Sequence, residues 1–155
     1  MKQRIYIDTS VVGGYFDKEF SDITVLFFNR IIKGEMTILL SDLLEIELVG
    51  APDFVKDLIK SIPASSIEKV HLTEEAIFLA DKYIEAKVVG KTSLPDCQHI
   101  AIATLYKADV LVSWNFKHMV NLDKIRGYNG INYQLGYAMI EIRTPKEIKD
   151  YENEE

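Results

Sequence analysis

Apolar positions follow two rhythms along this chain. Short, nearly continuous apolar runs alternate with longer stretches spaced as on a helix. "RIYID" at residues 4–8 alternates and is β-branched or aromatic, which predicts a strand. "MTILLS" predicts a second strand, and residues 110–114 at the end of "DVLVSW" predict a third, both apolar enough to be buried. "SSIEKVHLT" predicts a short edge strand and "AMIEI" another near the end. Between them lie stretches of helical character. The first, over residues 11–17, is weakened by Gly13 and Gly14. The second runs from Asp22 and stops at Gly34. "DLLEIELVG" predicts a short helix closed by Gly50 and Pro52, and residues 53–61 a further one. Thr73 caps a long helix to about residue 89, and "SLPDCQHIAIATLYKA" and "LDKIRGYN" read as helices. "TPKEIKDY" reads as a final helical turn begun by Pro145.

Strands alternating with helices predict an α/β fold with a mainly parallel sheet covered on both faces. In such sheets a ligand binds outside the carboxyl ends of the strands. A length of 155 residues suits one domain, read here as residues 1–150, with 151–155, "YENEE", as a short acidic tail.

Composition narrows the functional classes. The net charge of -6 argues against a general, charge-driven nucleic-acid binder. It leaves room for an enzyme that gathers carboxylates and offsets them with a cation. "MKQRIYIDTS" has few apolar residues, so no signal peptide is expected, and no apolar run is long enough to span a membrane. A single cysteine, Cys97, forbids an internal disulfide and fits a cytoplasmic protein. No phosphate-binding glycine motif of the GxxxxGK[ST] or GxGxxG type is present.

Four residues stand where a site would form. Asp8 ends the first strand, on the same side as Tyr6. Capping of the next helix would explain it, although Thr9 and Ser10 could cap as well. Glu45 has a local role, since Asp42 and Glu45 have the spacing of a capping box. Glu47 lacks one: it shares a helical face with Leu43, Leu44 and Leu48, and a carboxylate on an apolar stripe needs a partner. Asp96 opens an apolar helix, one turn from His99, with Ser93 as a potential cap. Asn115 ends the third core strand, where an Asx turn out of the strand would suffice. Together the four converge on one rim. Three carboxylates in one cleft repel, and a divalent cation relieves them. Oxygen ligands without a thiolate or a histidine pair suit Mg²⁺ or Mn²⁺.

"IYIDTSVVGGYF", "LLSDLLEIELVGAP" and "LPDCQHIAIATLYKADVLVSWNFKHM" resemble, in order, the acidic motifs of PIN-domain proteins, closest to the VapC-type group. The similarity covers most of the chain. It implies a three-layer α/β/α sandwich and metal-dependent hydrolysis of RNA phosphodiester bonds. By this resemblance Asp8, Glu47 and Asp96 match the three acids, as catalytic residues and ligands of Mg²⁺ or Mn²⁺. Asn115 falls where members of the family commonly carry a fourth acid. Thr9, Ser10 and Ser113 are placed to hydrogen-bond behind the acids, and Lys117 and His118 to contact RNA; Lys124 and Arg126 follow just beyond. The resemblance also implies a homodimer and, for a toxin of a toxin–antitoxin pair, a small antitoxin partner.

Two other readings stand beside it. The chain could be a PIN-like module that binds RNA or protein without turnover, which Asn115 and the acidic surface favour. It could be a phosphotransferase working through an aspartyl phosphate, but Ser10 stands where that chemistry usually needs a second Asp.

Overall fold

The computed structural model describes residues 2–148. The acidic tail expected at 151–155 lies outside them. In chain order the elements are β1 (Arg4–Ile7), α1 (Thr9–Gly14), α2 (Ser21–Ile32), β2 (Thr37–Ser41), α3 (Asp42–Glu47) and α4 (Asp53–Lys60). They continue with β3 (Ile67–Val70), α5 (Glu74–Glu85), α6 (Leu94–Leu105), β4 (Val110–Val112), α7 (Leu122–Leu135) and β5 (Ile142–Arg143).

The five strands among the described residues form one sheet in the order β3-β2-β1-β4-β5. Every pairing is parallel. Side chains alternate across it as strand geometry requires. Ile5, Ile7, Ile38, Leu40, Val110 and Val112 pack with residues of α1, α2 and α4 on one face. Tyr6, Leu39 and Leu111 pack with α5, α6 and α7 on the other. This is a three-layer α/β/α sandwich. The edge strand expected in "SSIEKVHLT" is β3, at one margin of the sheet. The helix read as central, α6, is buried without a break from His99 to Thr104. Each large apolar side chain so enclosed contributes about 1.5–3 kcal/mol. No helix among the described residues is long and apolar enough to cross a membrane.

Several boundaries differ from the sequence reading. The third core strand stops at Val112: Ser113 N–H still reaches Arg143 O of β5 at 3.0 Å, but the following donors turn to side chains, Trp114 N–H to Ser10 Oγ at 2.9 Å and Asn115 N–H to Ser113 Oγ at 2.9 Å. The capping box at Asp42 is displaced by one residue. Ser41 caps α3 by accepting from Leu44 N–H at 3.0 Å, while Asp42 accepts from Leu72 N–H at 2.9 Å and Glu45 pairs with Lys69. Ser93 makes no capping bond to α6. The long helix after Thr73 ends at Glu85, not near 89. Lys87 takes the left-handed conformation (φ 58), and Val88 N–H closes on Tyr83 O at 3.1 Å, a Schellman turn built without glycine. Helix α7 runs further than "LDKIRGYN", to Leu135, and β5 is only two residues long. A single 3₁₀ turn, Pro145–Glu147, stands where the sequence predicts the last helical turn; the rest of that stretch passes out of the described residues.

Candidate functional site

Strand β1 has β2 on one side and β4 on the other, so successive crossovers leave it in opposite directions. The carboxyl ends of β1 and β4 flank this switch of direction, the usual ligand position in an open α/β sheet. Asp8 lies directly after β1, with its N–H on Val112 O at 3.4 Å. Ser113 and Asn115 follow β4.

Asp8 is 4% exposed. It caps α1 by accepting from Val11 N–H at 3.3 Å. Ser10 Oγ donates to its Oδ1 at 2.6 Å, and Ser113 Oγ to its Oδ2 at 2.6 Å. Burial raises its pKa above the ordinary value, and the two serines, nearby His99 and Val11 N–H only partly offset this. The chain of contacts continues from Ser113 to Asn115 N–H, and Asn115 Nδ2 donates to Asp96 Oδ2 at 3.2 Å. Asp96 sits in the first turn of α6. Its pKa is also raised by burial, with Glu47 adding to the rise and His118, His99 and Asn115 opposing it.

Asn115 does two structural jobs at once. Its Oδ1 accepts from His118 N–H, three residues on, at 2.9 Å, so the amide caps the turn after the strand in place of the expected Asx turn. With the oxygen so turned, the amide nitrogen faces Asp96 and supplies part of what a cation would supply.

Glu47 closes α3 and reaches the site from the other direction, its side chain 31% exposed. The face it shares with Leu43 and Leu44 is buried up to that point. Its carboxylate meets His99 Nε2. Burial pushes its pKa up, but the hydrogen bond and charge of His99, helped by Thr9, outweigh burial and hold it below the ordinary value. His99 Nδ1 meets the Tyr6 hydroxyl at 2.5 Å, and that hydroxyl is 3.0 Å from Ser41 Oγ.

Asp8, Ser10, Ser113, Asn115 and Asp96 thus form one hydrogen-bonded chain, and Glu47 joins it through the field of His99, which reaches both aspartates. Thr9 borders Glu47. Lys117 is exposed beyond Asn115, and so is Arg126. His118 turns partly inward, its backbone carbonyl accepting from Tyr128 at 2.7 Å. Lys124 is committed to Val88 O at 2.8 Å. Reading the sequence residue by residue missed His99, Tyr6 and Ser41. The available signal was a histidine inside an otherwise apolar helix and a tyrosine on the same strand face as Asp8.

Among the described residues, no three His, Cys, Asp or Glu side chains converge closely enough to enclose a metal ion by themselves. The donor set nevertheless fits a hard cation. Mg²⁺ commonly binds through one or two carboxylates and keeps several waters. One buried polar atom near Asp96, His118 Nδ1, has no hydrogen-bond partner among the described residues. Such an orphan in a native fold marks a place for water or an ion. No protein-family model matches this chain, and no curated protein matches it.

Proposed function

We propose that the crevice between β1 and β4 is the active centre of a PIN-like, metal-dependent ribonuclease of the VapC type. One observation carries this reading: Asp8 and Asp96, distant in sequence, are joined through Ser113 and Asn115 beside the switch point of the sheet, with Glu47 bonded to His99 one turn along the helix that carries Asp96. Asp8 and Asp96 would hold Mg²⁺ or Mn²⁺, with water completing the shell. The ion supplies positive charge for the phosphate oxygens and makes water a better nucleophile. The protein's own groups do the rest. Ser10 and Ser113 fix the carboxylate of Asp8, and Asn115 fixes that of Asp96. Glu47 either completes the ligand set or orients the attacking water. Lys117, at the exposed rim, meets a backbone phosphate. By the same resemblance the protein is a cytoplasmic toxin that acts as a homodimer and is silenced by a small antitoxin.

The test is cleavage of a panel of RNAs with Mg²⁺ or Mn²⁺, with and without chelator, beside Asp8→Ala and Asp96→Ala. Cleavage that needs the metal and disappears in both variants is the expected result. Metal-independent cleavage, or cleavage that survives both substitutions, would remove the assignment.

A second reading, a PIN-like module that binds RNA or protein without turnover, is favoured by Asn115, whose amide caps the following turn and donates a hydrogen to Asp96 in place of a fourth carboxylate. Calorimetric titration with Mn²⁺ separates the two: heat of binding supports the nuclease, and none at millimolar metal supports the module.

A further inference from the structure

The contact between Glu47 and His99 links three elements that the sequence keeps far apart. Glu47 ends α3, His99 lies in α6, and Tyr6 lies in β1. The His99 side chain is 3% exposed, and its ring packs edge-on to Tyr6 with centroids 5.6 Å apart. Both ring nitrogens are engaged, Nε2 by Glu47 and Nδ1 by Tyr6. The Tyr6 hydroxyl also reaches Ser41, whose oxygen caps the helix that carries Glu47. The loop of contacts therefore closes: Ser41 sets the start of α3, and His99 holds its end.

The proton inventory gives this loop a direction. A carboxylate oxygen of Glu47 accepts at His99 Nε2, so Nε2 carries the hydrogen and donates it. Tyr6 brings its phenol hydroxyl to Nδ1. A glutamate at the open end of a six-residue helix has several rotatable bonds, and fixing them costs rotamer freedom. The buried imidazole removes that freedom and occupies one carboxylate oxygen.

We infer that His99, oriented by Tyr6, is a positioning residue that commits Glu47 to orienting the attacking water and withholds it from the metal. The inference rests on the ribonuclease reading and deepens it. The three acids then have separate roles, Asp8 and Asp96 holding the cation while a histidine keeps Glu47 back from it. Partners standing behind a reacting group in this way typically change activity or metal affinity about 10–100-fold when removed. Here the loss falls on turnover.

Two measurements on the full chain test this. The first combines Mn²⁺ titration with steady-state cleavage for wild type, Glu47→Gln, His99→Ala, His99→Gln, Tyr6→Phe and the Glu47→Gln/His99→Ala double variant. His99→Ala should lower kcat about 10–100-fold with KM little changed. His99→Gln, whose amide can still donate to Glu47, should recover part of that loss, which a merely structural role would not allow. The double variant should be no slower than Glu47→Gln alone, because the two residues act as one unit. Mn²⁺ affinity should stay within about twofold in every variant, far less than the 10–100-fold expected on losing a group that supports the metal. The second measurement is a nitrogen–proton correlation spectrum of the metal-free protein. It should show a protonated His99 Nε2 whose signal moves in Glu47→Gln.

The outcomes separate cleanly. Wild type that binds Mn²⁺ without cutting RNA sinks the ribonuclease reading and with it the water-orienting role of Glu47; the spectrum and the Mn²⁺ affinities then still decide the tie to His99 and Glu47's exclusion from the metal. A bare His99 Nε2, or an Mn²⁺ affinity that collapses in Glu47→Gln, overturns the inference alone. Wild type that binds no Mn²⁺ overturns both.

Discussion

Asn115 concentrates the question at the scale of single residues. An acid at this position would face Asp96 without the hydrogen that Asn115 now donates. Asn115→Asp keeps the acceptor for His118 N–H but loses a hydrogen bond to a charged group, worth about 1.5–3 kcal/mol. The variant should therefore melt earlier than wild type without metal and bind Mn²⁺ more tightly. Thermal denaturation with and without Mn²⁺ measures both. A variant as stable as wild type in the absence of metal would mean that the amide is not compensating Asp96. The two aspartates also predict a pH dependence. Their folded pKa values lie above the unfolded ones, so just above the ordinary aspartate value of 3.8 the folded chain holds more protons than the unfolded chain. Stability then falls as pH rises through the folded values. Glu47 has the opposite sign, stabilising above its ordinary value of 4.5 and losing that contribution as pH falls through its lowered folded value. Asp8→Asn removes the burial penalty of the Asp8 charge. Its metal-free melting temperature should exceed that of wild type near neutrality, with the gap closing in acid. Parallel curves for the two proteins would contradict the raised pKa of Asp8.

At the scale of elements, hydrophobic rhythm carried most of the information. The core strands and the buried course of α6 were legible because nearly continuous apolar runs are what a covered parallel sheet demands. What local patterns could not carry were decisions made by distant partners. Ser41 outcompeted Asp42 as a cap because Leu72 N–H, thirty residues on, took the Asp42 carboxylate. Lys87 ended α5 in a conformation usually left to glycine. The paired glycines that weaken the first helix have a tertiary cause in one case. A Cβ on Gly14 would lie 2.6 Å from Trp114 Cδ1 and 2.7 Å from its Nε1, while Gly13 has open space. Trp114 cannot retreat, because it stacks on Phe20 at 4.4 Å and donates to Thr24 Oγ1 at 3.0 Å. Gly14→Ala should therefore cost about 1–3 kcal/mol and Gly13→Ala should be neutral or slightly stabilising. Urea unfolding of the pair checks this, and equal effects would contradict the steric cause. The candidate site was legible as one acid at a strand end, Asp8, and two on helices, Glu47 and Asp96, expected on the same rim. The tie through His99 was not, since nothing local distinguishes a histidine that joins two elements from one that fills a core.

For the whole molecule, topology and charge point to the same place. The order β3-β2-β1-β4-β5 makes one crevice where crossovers diverge, and the chain sets Asp8, Ser113, Asn115 and Asp96 around it in a continuous hydrogen-bonded chain. The chain carries a net charge of -6, and carboxylates held in a buried crevice add a local demand for positive charge. A divalent cation would meet that demand and bring the chemistry with it. The most direct measurement is an anomalous-scattering map from crystals of the protein soaked in millimolar Mn²⁺. A peak in contact with Asp8 and Asp96, with Glu47 still bonded to His99, is the predicted result. A crevice without anomalous density, or a peak only at surface carboxylates elsewhere, would contradict it.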